Sequence, residues 1–324
     1  MLGKTGFKVS EVSLGTWQVG GGWGSPFDED TAEEILNRAI DLGVNFIDTA
    51  DVYSDGKSEA AVAKVVTSRP EEVYVATKCG RRITPHVAEG YTTGALEGFV
   101  NDSLDNMGLE TIDLVQLHCP PTEVYYRPEV FGLFDRLREQ GKIRHLGVSV
   151  EKVEEAIKAI EYPNVATVQI IFNMFRHRPS ELFFQLAQER NVGIITRVPL
   201  ASGLLTGKMT SETTFAPDDH RAFNREGEAF DKGETFAGVD FELGLEAVEA
   251  LEELFLGDRS LALWALRWVL MFEEVSCVIP GASSVEHVEA NVTASELPPL
   301  TDEQMRGVKE IYRDYVKDSV HQRW

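Results

Sequence analysis

Eight times along this chain, a short apolar run rich in β-branched residues is followed by a longer segment of helical period. The runs are VSLGT (12–16), VNFID (44–48), VYVATK (73–78), IDLVQLH (112–118), IRHLGVS (143–149), VATVQIIFN (165–173), VGIITRVPL (192–200) and VSCVIPG (275–281). The helical segments cover 32–43, 58–68, 92–108, 128–141, 153–161, 180–191, the pair 243–256 and 260–272, and 285–294. Near-continuous apolar strands separated by helices are the pattern of parallel strands buried on both faces. Eight such units in 324 residues predict an α/β fold, a (β/α)8 TIM barrel, over a doubly wound sheet. Residues 2–9 read as a β-hairpin closing the barrel floor, and 302–318 as an added C-terminal helix. Asp30 or Thr31 is the expected cap of the first helix. One domain is expected over 1–324, with a loop insertion at about 203–240 that is rich in Gly, Asp, Glu and Phe and has no clear period. A loop that long inside a compact domain is usually a lid or a mobile insertion.

Barrels of this kind carry their chemistry on the C-terminal ends of the strands, where the loops converge. Reading off those ends gives Asp48, Lys78, His118, Ser149, Gln169, Asn173, Arg197 and the Pro280-Gly281 pair. Each alone has a plain structural explanation: Asp48 caps a helix, Lys78 reaches solvent, His118 sits satisfied in the core. Their sharing of one rim is what favours function. Tyr53 follows Asp48 by five residues, and a free phenol gives up its proton only near pH ~10. A buried ammonium at Lys78 would stabilise phenolate, Asp48 would keep that ammonium charged, and His118 would orient a substrate oxygen. Such a group is a general acid for an oxygen developing negative charge, which suits carbonyl reduction.

The composition narrows the partners. With 31 Lys+Arg against 53 Asp+Glu the net charge is −22, which repels phosphate backbones and anionic lipid. Nucleic acid and membranes are therefore not expected as partners; the acid excess also fits a salty cytoplasm. The most apolar stretch, LALWALRWVLMF (261–272), is too short to cross a bilayer and contains Arg267. No signal-peptide pattern opens the chain, so a cytoplasmic address is expected. Cys79, Cys119 and Cys277 are too few for a disulfide framework. Cys79 and Cys119 lie next to Lys78 and His118, but with His118 they make a poor zinc set, so no metal is expected and buried small side chains are the better reading.

The stretches GTW (15–17), NFIDTADVYSDGKSE (45–59), ATK (76–78), QLH (116–118), IRHLGVS (143–149), PLASGLLTGK (199–208) and VIPGASSVEHVEAN (278–291) together resemble the aldo-keto reductases. The match runs in order over about residues 2–295. The resemblance implies a (β/α)8 barrel and hydride transfer between a nicotinamide cofactor and a small aldehyde, ketone or alcohol. It implies that Tyr53 donates the proton, Asp48 and Lys78 tune it, and His118 orients the carbonyl. Thr16 and Trp17 would lie near the cofactor's centre, Ser149 and Gln169 would bond its carboxamide, and Asp48 counts among its contacts. Pro199 and Leu200 would lead into a turn of Leu204, Thr206, Gly207 and Lys208 over the pyrophosphate. Gly281, Ser283, Ser284, His287 and Asn291 would surround the adenosine end. Trp17, Trp23, Phe27, Tyr53 and His118, with loops 82–91 and 120–127, would line the substrate pocket. The Gly20-Gly21-Gly22 run lacks dinucleotide-fingerprint spacing and reads as a flexible loop beside that pocket.

Three positions depart from the family pattern. Val150 stands where Asn often follows the serine of GVS, and Arg197 stands where many members stack a tyrosine under the nicotinamide. The guanidinium of Arg197 can stack there or reach a phosphate. The third is GASSVEH (281–287), which lacks the Lys or Arg that grips a 2′-phosphate and offers serines, Glu286 and His287 instead. NADP(H) is the expected cofactor on the family pattern, with NAD(H) the alternative. A second reading, from another class, is a cofactor-binding regulatory or scaffold subunit with slow turnover. Asp51 is expected to organise its loop through backbone amides.

Overall fold

A computed structural model describes residues 1–21, 26–257 and 259–324. Its strands are β1 (Leu14–Gly15), β2 (Phe46–Asp48), β3 (Tyr74–Cys79), β4 (Ile112–His118), β5 (Ile143–Ser149), β6 (Val165–Ile171), β7 (Gly193–Arg197) and β8 (Val275–Val278). They pair in chain order and all in parallel. Two parallel bridges, Val12 to Val278 and Gly15 to Gly281, join the first strand's surroundings to the last and round off the barrel. A side chain at Gly15 would press on the Ile279 carbonyl at 3.0 Å, so glycine lets the two ends approach. Between and after the strands run α1 (Glu29–Asp41), α2 (Lys57–Ser68), α3 (Thr93–Met107), α4 (Pro128–Glu139), α5 (Val153–Ala159), α6 (Phe183–Glu189), α7 (His220–Phe223), α8 (Phe241–Leu254), α9 (Leu261–Val269), α10 (Val285–Val292), α11 (Asp302–Ile311) and α12 (Lys317–Val320).

The expected (β/α)8 barrel is thus the observed fold, and differences are local. Asp28, not Asp30 or Thr31, caps α1 by accepting the Thr31 amide at 3.0 Å. Asp30 falls inside the first turn, where its charge favours the helix N-terminus. The floor segment forms one hairpin-like bond, Leu2 N to Phe7 O, around a tight turn at Gly3–Thr5, without paired strands. The reason is contact: this turn lies so close to the backbone of Gly193 that a side chain at Gly3 would collide with it. Leu2 and Phe7 fill the barrel's lower mouth with Phe46, Tyr74, Leu114 and Ile195, Phe7 stacking on Tyr74 at 4.0 Å. A larger apolar layer between strands and helices makes the second core.

The segment after β7 holds three tight turns, at Ala201–Thr206, Lys232–Glu234 and Phe236–Gly238, besides the short α7. The C-terminal helix continues from α11 through a wider π turn at Tyr312–Val316 into α12. Trp324 then folds back, its indole N–H donating to Asp231 at 2.7 Å. Among the described residues no helix is long and apolar enough to cross a membrane.

Candidate active site

Asp48 ends β2 and Lys78 lies near the end of β3, one strand over, so the register alone brings their side chains to the same rim. Both are buried, and the Lys78 Nζ donates to Asp48 Oδ2 at 2.5 Å and to the Thr49 carbonyl at 2.8 Å. The other carboxylate oxygen of Asp48 accepts Gln116 Nε2 at 2.8 Å and Gln169 Nε2 at 2.9 Å. A buried carboxylate bonded on both oxygens has no freedom to rotate away from its ammonium. Burial opposes the charge on Lys78, but Asp48 and then Tyr53 outweigh it and hold its pKa above the usual value.

Tyr53 arrives from the loop after β2. The two residues beyond it, Ser54 and Asp55, sit at φ 49° and 55°, in the left-handed region that L-residues rarely occupy. That turn brings the phenol back, with its oxygen 3.3 Å from Lys78 Nζ. Burial raises the Tyr53 pKa, and Lys78 lowers it less than burial raises it. In this state the group is a protonated phenol poised beside a cation, where sequence reasoning expected a net lowering.

His118, at the end of β4, is edge-on to the Tyr53 ring with centroids 6.1 Å apart. Burial first, then Lys78, Arg81 and Arg197, holds its pKa well below the usual histidine value, so the ring is neutral. Its Nδ1 is buried without a hydrogen-bond partner. The strand is bent directly after it: Cys119 has φ 46°, and Val198, directly after Arg197, has φ 53°. A β-branched residue in that region is strained, and such strain gathers at functional rims.

The other anticipated residues fall into three groups. Trp17 lies over the site, its ring 6.5 Å from Tyr53 and 4.8 Å from His220, a buried histidine of the insertion that sequence reasoning did not single out. Phe27 packs above Gly20, and Trp23 and Gly22 lie outside the described residues. Loops 82–91 and 120–127 meet through Arg127 Nη1 and the Ala88 carbonyl, 2.6 Å apart. They shape an open depression of about 810 Å³ lined by residues such as His86, Glu89, Pro121 and Arg127, which contains none of the four core side chains.

On the cofactor side, Thr16 is occupied locally, its hydroxyl 3.1 Å from the Asp48 carbonyl and 2.8 Å from Ser58 Oγ. Gln169, expected toward a carboxamide, spends its N–H on Asp48 and on Gln116 Oε1. Ser149 is fully buried beside Cys119. Pro199 is buried and Leu200 half-buried; Leu204 points into the core, where it fits because residue 244 is glycine. Ser202, Gly203 and Gly207 carry φ of 55°, 98° and 71°, a backbone turn beside the exposed Lys208 and the hydroxyl of Thr206. Residues 281–291 form a patch: Ser284 caps α10 by accepting the His287 amide, Ser283 lies 3.2 Å from His287 Nδ1, and Asn291 donates to the Gly281 carbonyl. Gly281, Ser283 and His287 are exposed. A helix N-terminus with exposed polar side chains, and a turn of left-handed residues with its own backbone amides, are each of a kind that can meet phosphate or ribose oxygens.

Arg197 is the largest surprise. Its Nη2 donates to Glu151 Oε2 at 2.9 Å and to the Val150 carbonyl at 3.0 Å. Glu234, from the insertion, lies 3.4 Å from Arg81 Nη2 and 3.9 Å from Arg197 Nη1. Burial and neighbouring acids hold Glu151 toward its protonated form. Burial also opposes charge on Glu234, but Arg197 and Arg81 outweigh it and keep that carboxylate ionised. Donor atoms of Cys119, Glu151 and Glu234 come within 4.8 Å of one another, but both guanidiniums already address these carboxylates, which disfavours a cation there. The buried carboxylate of Asp51 has no well-formed hydrogen bond, and only the neighbouring Val52 amide favours its charge from the loop backbone.

Comparison with known proteins bears on all of this. Residues 11–313 match the family model described as "Aldo/keto reductase family". The chain is 29% identical over 330 residues to the aldo-keto reductase YhdN of Bacillus subtilis, covering 98% of this chain and 95% of the relative. It is 25% identical over 317 residues to an NADH-specific methylglyoxal reductase of Escherichia coli, covering 90% and 92%. The solved glycerol dehydrogenase of Gluconobacter oxydans superposes with a TM-score of 0.74 at 31% identity, covering 95% of this chain and 93% of that one.

Proposed function

We propose, from the premise that the chain belongs to the aldo/keto reductase family, that this oxidoreductase interconverts small aldehydes or ketones and their alcohols on a single barrel domain. One observation carries the reading: a buried Lys78 ammonium stands between Asp48, at 2.5 Å, and the phenol of Tyr53, at 3.3 Å. When a reduced nicotinamide is bound, it supplies hydride to the carbonyl carbon. The chain's own residues manage the oxygen. Tyr53 gives its proton to the oxygen as negative charge develops, and Lys78 stabilises the phenolate left behind. Asp48, held by Gln116 and Gln169, keeps Lys78 charged. His118 is neutral and offers a hydrogen bond that orients the carbonyl. In the opposite direction the phenolate is the base, so alcohol oxidation is favoured as pH rises.

The cofactor would run from Ser149 past Trp17, Lys208 and the turn at Ser202–Gly207 to Ser283, Ser284, His287 and Asn291; Arg197, turned to Glu151 and the Val150 carbonyl, is not counted among its contacts. NADP(H) remains the preferred cofactor, held by serine hydroxyls, His287 and Lys208. NAD(H) is the close alternative because Glu286 sits among them and one relative is NADH-specific by name. The regulatory-subunit reading gains no support from relatives named as reductases and dehydrogenases.

The test follows NADPH and NADH absorbance with a panel of aldehydes, wild type against Tyr53→Phe. Loss of at least about a thousandfold in kcat, with cofactor binding retained, is expected on removal of the proton donor. Full activity in Tyr53→Phe removes Tyr53 from its role, and tenfold tighter NADH binding in wild type reverses the cofactor preference.

A further inference from the structure

Beside His118 lies a cluster that proton donation to a carbonyl does not use. Arg81 follows β3 by two residues, Arg197 ends β7, and Glu151 follows β5. Arg197 reaches across the rim to Cys119, the residue after His118, with Nη2 3.5 Å from its Sγ. Both guanidiniums converge on one oxygen, Oε1 of Glu234. That residue belongs to neither a strand nor a long helix but to the three-residue turn Lys232–Glu234 in the insertion.

Three features mark this as a place for a ligand rather than a structural knot. First, the contacts to Glu234 are loose, at 3.4 and 3.9 Å, against the 2.7–2.9 Å of a well-seated guanidinium–carboxylate pair. Second, Arg197 is buried, yet its Nε has no acceptor, a donor left unmet at real cost. Third, charge is unbalanced: two fixed cations face Glu234, while Glu151 is held toward its neutral form, so the cluster stays cationic in a protein of net charge −22.

Building on the carbonyl-reducing reading, we propose that Arg81 and Arg197 form a subsite for the carboxylate of an oxo-acid substrate, and that Glu234 occupies this subsite as a stand-in until the substrate displaces it. The subsite adjoins His118, so a substrate anchored there by its carboxylate presents its carbonyl toward His118 and Tyr53. A bidentate guanidinium grip on the acid would position that carbonyl. Glu234 leaves by retraction of its turn, which hangs from the barrel through Ser202, whose Oγ donates to the Glu234 carbonyl at 3.1 Å, and through Trp324 beneath it.

Two readouts test this. Benzoate has no carbonyl to reduce, so its binding to the cofactor-loaded protein, against benzamide, reads the subsite without turnover. The reduction of para-carboxybenzaldehyde against its methyl ester reads the same preference in kcat/KM. Benzoate is expected to bind at least tenfold more tightly than benzamide, and the acid aldehyde to exceed its ester by a similar factor. In Arg81→Gln and Arg81→Leu both ratios are expected to fall toward one, while Glu234→Gln tightens benzoate severalfold. Equal binding of benzoate and benzamide overturns the proposal, as does a preference that survives in both folded Arg81 variants or benzoate binding that Glu234→Gln leaves unchanged. Selective benzoate binding with no reduction of either aldehyde leaves the subsite standing and removes the reductase reading instead.

Discussion

Asp51 carries the sharpest single-residue consequence. Its carboxylate is buried without a well-formed hydrogen bond, and burial, then the charge of Glu59, outweigh Arg82, the Val52 amide and Lys78 and push its pKa up to about 7. A carboxylate whose folded pKa is raised favours the protonated folded state. Wild type therefore loses stability as pH rises from about 4 toward 7, and the whole penalty is present above that. Asparagine has the same shape and no proton to lose. Asp51→Asn is expected to match wild type near pH ~4 and to be more stable at pH ~8 by on the order of 4 kcal/mol, read by urea unfolding at the two pH values. A gain that is the same at both would show that the orphaned charge is not the cause. At this scale the sequence was uneven. Asp48, Lys78 and His118 were legible because each ends a strand, and a parallel barrel brings strand ends together whatever lies between them. Tyr53 stood out by its spacing from Asp48. Arg81, Glu151, Glu234 and His220 were missed because they come from loops and the insertion, where no period says which way a side chain points.

Among elements, the same physics separates what was legible from what was not. Every barrel strand and its helix could be placed to within a few residues, because burial on both faces writes continuous apolar runs. The insertion could only be bounded: it is held by particular contacts rather than by a repeating face. Trp324 supplies several of them. Its indole bonds Asp231, its ring lies 4.1 Å from the Arg176 guanidinium, and a side chain at Gly238 would come within 2.6 Å of it. A large aromatic side chain packed against Gly233 and Gly238 ties the two turns at 232–238 to the C-terminal helix, beside the separate cluster of Phe215, Phe236 and Phe241. Deleting Trp324 is expected to speed amide exchange across 229–240 at least about tenfold, leave β3 to β6 unchanged, and lower Tm by a few degrees. Unchanged exchange in that segment would show that Trp324 does not hold it. Because the segment carries Glu234, the same deletion reports on how far that turn moves as a unit.

For the whole molecule, charge is the variable that packing leaves open. The structure contains ion pairs such as Arg38–Glu289 and Arg69–Asp41, but most are partly exposed, where solvent screening leaves each of them weak. Against them stand 53 acids for 31 bases, so many carboxylates are left without a base to pair with. Folding draws those charges closer than they are in the unfolded chain, and the repulsion destabilises the compact state. Salt screens both effects, shortening the Debye length from about 10 Å at 0.1 M to about 3 Å at 1 M. The excess of acid decides the sign, because the chain has 22 more acids than bases to pair with them (53 against 31). Tm is expected to rise by several degrees between about 0.1 M and about 1 M potassium chloride, and the urea midpoint to rise with an unchanged slope, since screening alters energy and not the area exposed. A Tm that falls with salt would mean that the ion pairs outweigh the net charge, and neutralising clustered surface acids would then weaken the fold where repulsion predicts strengthening.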